Sequence, residues 1–183
     1  MAKRNEATSD EFVPEYETKN EGGFVPGMGD GIGIQTDFDL DGEWKASPLV
    51  PNGTYHGAVT NVTFNVEKQA IQWEVVLNDN GGLMSDGETP LDGSKHFFRN
   101  WMPLPDDENI PDSSGRGTKR QAKINMLMQF SKNMKVNMNS GKIVAEAITN
   151  KEWIGLSVDV KIKIREYEGR FSNEIDRMVQ VTT

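Results

Sequence analysis

Regular alternation of apolar and polar positions begins at Pro51-Asn52-Gly53, a turn leading into TYHGAVTNVTFNV. Val62, Phe64 and Val66 alternate there with Thr63 and Asn65, the period of two expected of a half-buried strand. After the polar break Glu67-Lys68-Gln69, the run AIQWEVVL puts Ile71, Trp73, Val75 and Leu77 on one face and Gln72 and Glu74 on the other. NDNGGLMSDGETPLDGS reads as a long turn-rich loop. KHFFRNWM is a third strand, and PLPDDENIPDSSGRG a second loop, too rich in proline to be regular.

The period then changes. Thr118 can cap a helix running to about Met134, with Ile124, Leu127 and Met128 at core spacing beside Met126, Phe130 and Met134. KIVAEAIT predicts a shorter helix. Alternation returns in IGLSVDVKIKIREY, where Leu156, Val158, Val160, Ile162 and Ile164 face the core, opposite Ser157, Asp159, Lys161, Lys163 and Arg165. Glu168-Gly169-Arg170 is a tight turn into a fifth strand, FSNEIDRMVQV. Three strands, a helix and a closing hairpin predict an all-β class with one or two helices. The plan is that of a five-stranded OB-fold-like antiparallel barrel with its helix between strands three and four, over residues 49–183. The strand–helix rhythm of a parallel sheet is absent.

Residues 1–48 lack that patterning. Gly, Pro, Asp and Glu dominate, and a stretch such as GGFVPGMGDGIGIQ carries too little apolar surface to order itself, so this acidic N-terminal arm is expected to be disordered or loosely docked. Two motif fragments in it fail their own requirements. GMGDGIG has neither the flanking strand and helix nor the Gly-Lys-Ser/Thr of a phosphate-binding loop. Asp37-Phe38-Asp39-Leu40-Asp41-Gly42 opens like a calcium loop, but the twelfth position, which needs a bidentate Glu, is Pro48.

Charge sharpens the division. The chain of 183 residues has a formal net charge of −8. Four bases against eleven acids give the arm −7, and sixteen bases against seventeen acids leave the rest near neutral. Such asymmetry points to an interaction tail. There is no cysteine, which removes disulfides and thiol chemistry and suits a reducing compartment. No signal peptide or membrane-spanning run is read, so a cytoplasmic protein is expected.

Chemistry has little to work with. His56 and His96 lie on different strands with no triad-like neighbours, and Asp106-Asp107-Glu108 reads as a solvated loop rather than a metal-nuclease cluster. No catalytic residue, metal or cofactor is expected. A binding surface is better supported. Lys161, Lys163, Arg165 and Tyr167 share the outward face of the fourth strand, followed across the turn by Arg170 and Phe171. Like charges on one sheet face repel unless something compensates. Arg116, Lys119, Arg120 and Lys123 crowd a helix start, where the macrodipole disfavours bases. In KHFFRNWM, alternation sends Phe98 inward and leaves Phe97, Arg99 and Trp101 outside, because the opposite assignment would bury Arg99. Exposed aromatics flanking an arginine suit base stacking with a phosphate contact. The predicted nucleic-acid-binding set is Lys68, Lys95, Phe97, Arg99, Trp101, Lys119, Arg120, Lys161, Lys163, Arg165, Tyr167, Arg170 and Phe171.

The ordered part resembles a family of bacteriophage OB-fold single-stranded DNA-binding proteins. The resemblance spans about residues 48–181 and rests on VPNGTYHGAVTNVTF, IQWEVVL, FFRNWM, TKRQAKINMLMQFSKNM and EWIGLSVDVKIKIREYEGRFSNEI. It implies a non-catalytic, cofactor-free protein that coats single-stranded DNA during phage replication or recombination in the host cytoplasm, as a possible homo-oligomer. Proteins of that role often carry an acidic C-terminal tail. This chain departs from the pattern: it ends RMVQVTT, and its acid is N-terminal, where the arm would recruit replication or recombination proteins. Two alternatives stand beside this reading: an OB-like protein-interaction or virion-associated module, and a recombination accessory factor.

Overall fold

The computed structural model describes residues 47–181, so the expectations for the arm, its glycine-rich stretch and its aspartate-rich stretch lie outside the described residues. Five strands form one antiparallel sheet: β1 (Gly53–Asn65), β2 (Ala70–Leu77), β3 (Lys95–Trp101), β4 (Ser157–Tyr167) and β5 (Arg170–Gln180). The hydrogen-bonded order is β3-β2-β1-β4-β5. Two helices, α1 (Lys119–Met134) and α2 (Gly141–Thr149), lie between β3 and β4. This is the mostly-β class, helix placement included, that the alternation predicts. The ladders leave β3 and β5 as edges, which approach within 8 Å of each other, and α1 packs against both.

β1 is the hinge of the sheet. Its first half pairs with β4, from Gly53 opposite Ile162 to Ala58 opposite Ser157. Its second half pairs with β2, from Gly57 opposite Leu77 to Asn65 opposite Ala70, with a bulge between Val59 and Asn61. Gly57 serves both ladders, and a Cβ there would stand 2.7 Å from the Val76 carbonyl oxygen. Only glycine lets the two backbones come so close.

The inward faces of β2 and β4 meet with period two. Ile71, Trp73, Val75, Leu77, Val158, Val160 and Ile162 are all fully buried. Phe64 and Val66 depart from the expected core face. Beyond the bulge β1 outruns the packed region, leaving Phe64 partly exposed, and Val66 sits past the strand in the turn. In α1 the inward line runs through half-buried Lys123 and Leu127 to buried Phe130 and Met134. Met126 and Met128 lie off that line and are exposed, contrary to the core role expected of them. Thr118 caps the helix as predicted, its hydroxyl accepting from the Gln121 N–H at 3.2 Å. Ser140 caps α2 likewise.

The second loop holds a correction. Pro105–Asn109 forms a 3-10 turn, and Asp107, read from sequence as part of a solvated run, is 3% exposed. Its carboxylate accepts from Lys123 Nζ at 2.6 Å and from the Leu104 N–H at 2.9 Å, and lies 3.3 Å from Lys119 Nζ. Those charge-assisted bonds, the one from Lys123 foremost, hold the Asp107 carboxyl down at about 2 against the opposing effect of burial. No helix among the described residues is long and apolar enough to cross a membrane.

Candidate nucleic-acid interface

The direction in which β3 faces is fixed from inside. Phe98 stacks on Phe130 of α1 with ring centroids 5.2 Å apart. Phe130 in turn tilts against Trp73, which stacks on Trp153. Buried Asn100 accepts from the Trp73 indole N–H at 2.8 Å. His96 is buried as well; its Nε2 lies 3.1 Å from Ser94 Oγ, and burial pushes its pKa down. With 96, 98 and 100 locked inward, strand alternation leaves 95, 97, 99 and 101 nowhere but outside.

The outward row is therefore Lys95, Phe97, Arg99 and Trp101, with Phe97 50% and Trp101 43% exposed. Both rings could have been covered by neighbouring strands, and neither is. Across the ladder Phe97 faces Glu74, Arg99 faces Gln72, and Trp101 faces Ala70, which is itself buried. Arg99 Nε approaches Gln72 Oε1 at only 3.4 Å, so the guanidinium retains donors for another acceptor. Glu74 is occupied twice: it accepts from Thr60 Oγ1 at 2.8 Å and meets Lys95 Nζ at 3.3 Å. The Thr60 hydroxyl first, then Lys95, lowers its pKa. Lys68 lies in the β1–β2 turn, whose Gln69 carbonyl accepts from the Met102 N–H, and this brings a further cation to the Trp101 end. The four β3 residues form one row, with Lys68, the chain neighbour of Gln69, near its Trp101 end.

The basic stripe of β4 is different. Lys161, Lys163 and Arg165 do share the outward face, but β5 supplies acids beside them. Lys163 Nζ is 2.9 Å from Asp176 and Arg165 Nε is 2.9 Å from Glu174. Lys163 is the main cause of a lowered Asp176 pKa, to which Lys161 and Arg165 also contribute. Lys161 faces Arg177 across the ladder and makes no ion pair among the described residues. The compensation that the sequence assigns to a polyanion comes largely from the same hairpin. Tyr167 and Arg170 pair at the hairpin tip on the stripe's face. Phe171, expected beside them, pairs with Glu166 and projects from the opposite face.

The α1 cations are also paired at home. Lys119 and Lys123 hold Asp107, and Arg120 Nε lies 3.7 Å from Glu108. The apparent conflict with the macrodipole is thus resolved by a buried carboxylate rather than reserved for a ligand. Arg116 remains exposed in the loop before the helix.

The register also separates what sequence grouped together. Phe97 is in the row of Glu74 and Asn61, whereas Lys161 is opposite Thr54, at the other end of β1. Seven residues of strand put roughly 20 Å between them. His56 sits on the same outer face, its Nδ1 3.2 Å from Asp159; Ser94 stands beside His96 and a carboxylate beside His56, but the described residues do not bring hydroxyl, imidazole and carboxylate together at either histidine. No group of carboxylates and imidazoles suited to a metal ion occurs among the described residues. Compared with protein-family models and with curated proteins, the sequence returns no match.

Proposed function

We propose that this protein binds single-stranded DNA without catalysing a reaction, and that the contact is made by the β3 patch of Lys68, Lys95, Phe97, Arg99 and Trp101. The observation that carries this reading is the pair of exposed aromatic rings flanking an under-used guanidinium, on a strand whose other face is locked into the core. Unstacked bases present flat apolar faces at each nucleotide and a phosphate between them. A row of ring, cation, ring at strand spacing matches that alternation without reading sequence. Coating of single strands in phage replication or recombination is the role the family resemblance suggests for such a surface.

Fluorescence anisotropy of a labelled oligothymidine, with a duplex of equal length in parallel, tests the reading at low and moderate salt. Tight, sequence-tolerant binding to the single strand, weakening with salt through counterion release, is expected. Equal affinity for the duplex, or none for either, sinks it. The pairing of Lys163 with Asp176, of Arg165 with Glu174 and of Lys95 with Glu74 favours a shallow salt slope, set mainly by Lys68 and Arg99 rather than by the β4 stripe. A protein-interaction module is the second reading, and that internal neutralisation of the hairpin is the observation in its favour.

A further inference from the structure

A groove of about 700 Å³ runs between α1 and the segment that leads into α2, and is also lined by Met102 and Pro103, which follow Trp101 at the end of β3. Its floor is apolar: Met102, Ile124, Leu127, Met128 and Met138. Its walls carry Arg120 and Lys132, and one end is closed by Ser140 and Gly141 at the start of α2. Lys132 makes no ion pair among the described residues. Arg120 is held by Glu108 through Nε only; its Nη1 is buried from solvent and has no hydrogen-bond partner. The Arg120 side chain as a whole is still 36% exposed and lines the groove, so its charge is felt there. The positive end of the α2 dipole faces the same rim.

We propose that this groove docks a partner peptide in which carboxylates alternate with large apolar side chains. The apolar residues would enter the methionine-lined floor, and the carboxylates would meet the charge of Arg120, Lys132 and the α2 start. Charge complementarity selects the occupant: the walls are cationic, and the acids near α1 are already engaged by Lys119, Lys123 and Arg120. The floor selects peptide over nucleic acid. Its lining is aliphatic and thioether, with no aromatic face for a base to stack on, and flexible methionines adapt to side chains of varied shape. The exposure of Met128, which the core does not explain, is accounted for as part of that floor.

The test uses the full chain and, as probe, a fluorescein-labelled peptide with the sequence DFDLDGEW, the acidic–apolar alternation that residues 37–44 of this chain happen to spell. Anisotropy should report saturable binding. Lys132→Glu and Met128→Glu, both exposed positions that leave the core intact, should each weaken it about tenfold or more. A peptide with its Phe, Leu and Trp replaced by Ser should lose binding although its charge is unchanged. The proposal is overturned if the labelled peptide does not bind, if it binds both variants as well as the parent, or if the serine peptide binds equally. It is also overturned if the two variants leave peptide binding intact and instead weaken binding of the oligothymidine, which would make the groove part of a nucleic-acid path.

Discussion

β3 and β4 are built from the same device and end up with different surfaces. Each alternates an inward face, wholly apolar in β4 but carrying His96 and Asn100 beside Phe98 in β3, with an outward row rich in cations, and each is antiparallel to its neighbours. The partner strand makes the difference. β2 offers β3 a glutamine, an alanine and one already engaged glutamate, so Phe97, Arg99 and Trp101 remain available. β5 offers β4 two acids in reach, so Lys163 and Arg165 are satisfied. A strand's own sequence decides which residues point out, and its neighbour decides whether they are left wanting a partner.

The strongest way to break that comparison is through the core that orients β3. Trp73→Ala removes the ring that stacks on Trp153, tilts on Phe130 and donates to Asn100, and should cost ~3–5 kcal/mol of stability in urea denaturation. Trp101→Ala, one strand away and exposed, should leave the unfolding midpoint nearly unchanged. If Trp101→Ala unfolds the domain, the outward row is core and the contrast between the strands disappears.

Next in size is binding. Trp101→Ala should weaken oligothymidine binding by ~1–3 kcal/mol, the worth of one stacked base, read by anisotropy at fixed salt. Simultaneous replacement of Lys163 and Arg165 by Ala should cost less than that single change, because those cations give up ion pairs to contact phosphate. The reverse order would move the interface to β4.

A pH titration sharpens the comparison at the point where β3 leaves the sheet. Lys123 Nζ donates both to Asp107 and to the Met102 carbonyl, tying the α1 start to the end of β3. The folded pKa of Asp107, about 2, lies below its ordinary value of 3.8. The stabilisation it brings is therefore full above about 4 and is lost as the pH falls from there towards 2. Asp107→Asn should lower stability at neutral pH and flatten this acid limb in denaturation curves. An unchanged acid limb would remove Asp107 from the clamp.

The smallest effect belongs to the hairpin. A double-mutant cycle on Arg165 and Glu174, both largely exposed, should give a coupling of only ~0.2–1 kcal/mol, decreasing with salt. A zero coupling would return Arg165 to the pool of free cations.

Sequence reached the faces but not the pairings, for a physical reason. Period two is local, so the burial of Ile71, Trp73, Val75 and Leu77 and the exposure of Phe97, Arg99 and Trp101 were all legible. Which residue stands across a ladder depends on register, and a bulge at Asp176 in β5 shifts it between Lys161 opposite Arg177 and Ile162 opposite Ile175. Nothing within β4 foretells that. Asp107 was misread because its burial depends on a 3-10 turn folding back onto α1 from a proline-rich stretch with no periodicity. The groove was out of reach for the same reason, since Met102, Met128 and Met138 converge only after three segments are placed.

The double duty of β1 sets an order of events in time. Its pairing with β2 joins neighbours in sequence, but its pairing with β4 matches Gly53 with Ile162, and the chain must close a loop of most of the domain to make it. Until then the β1 edge that β4 will occupy stands bare on a meander already formed. Folding should accordingly be slow for a domain of this size, and newly made chains should be most prone to strand-to-strand association before β4 emerges and docks.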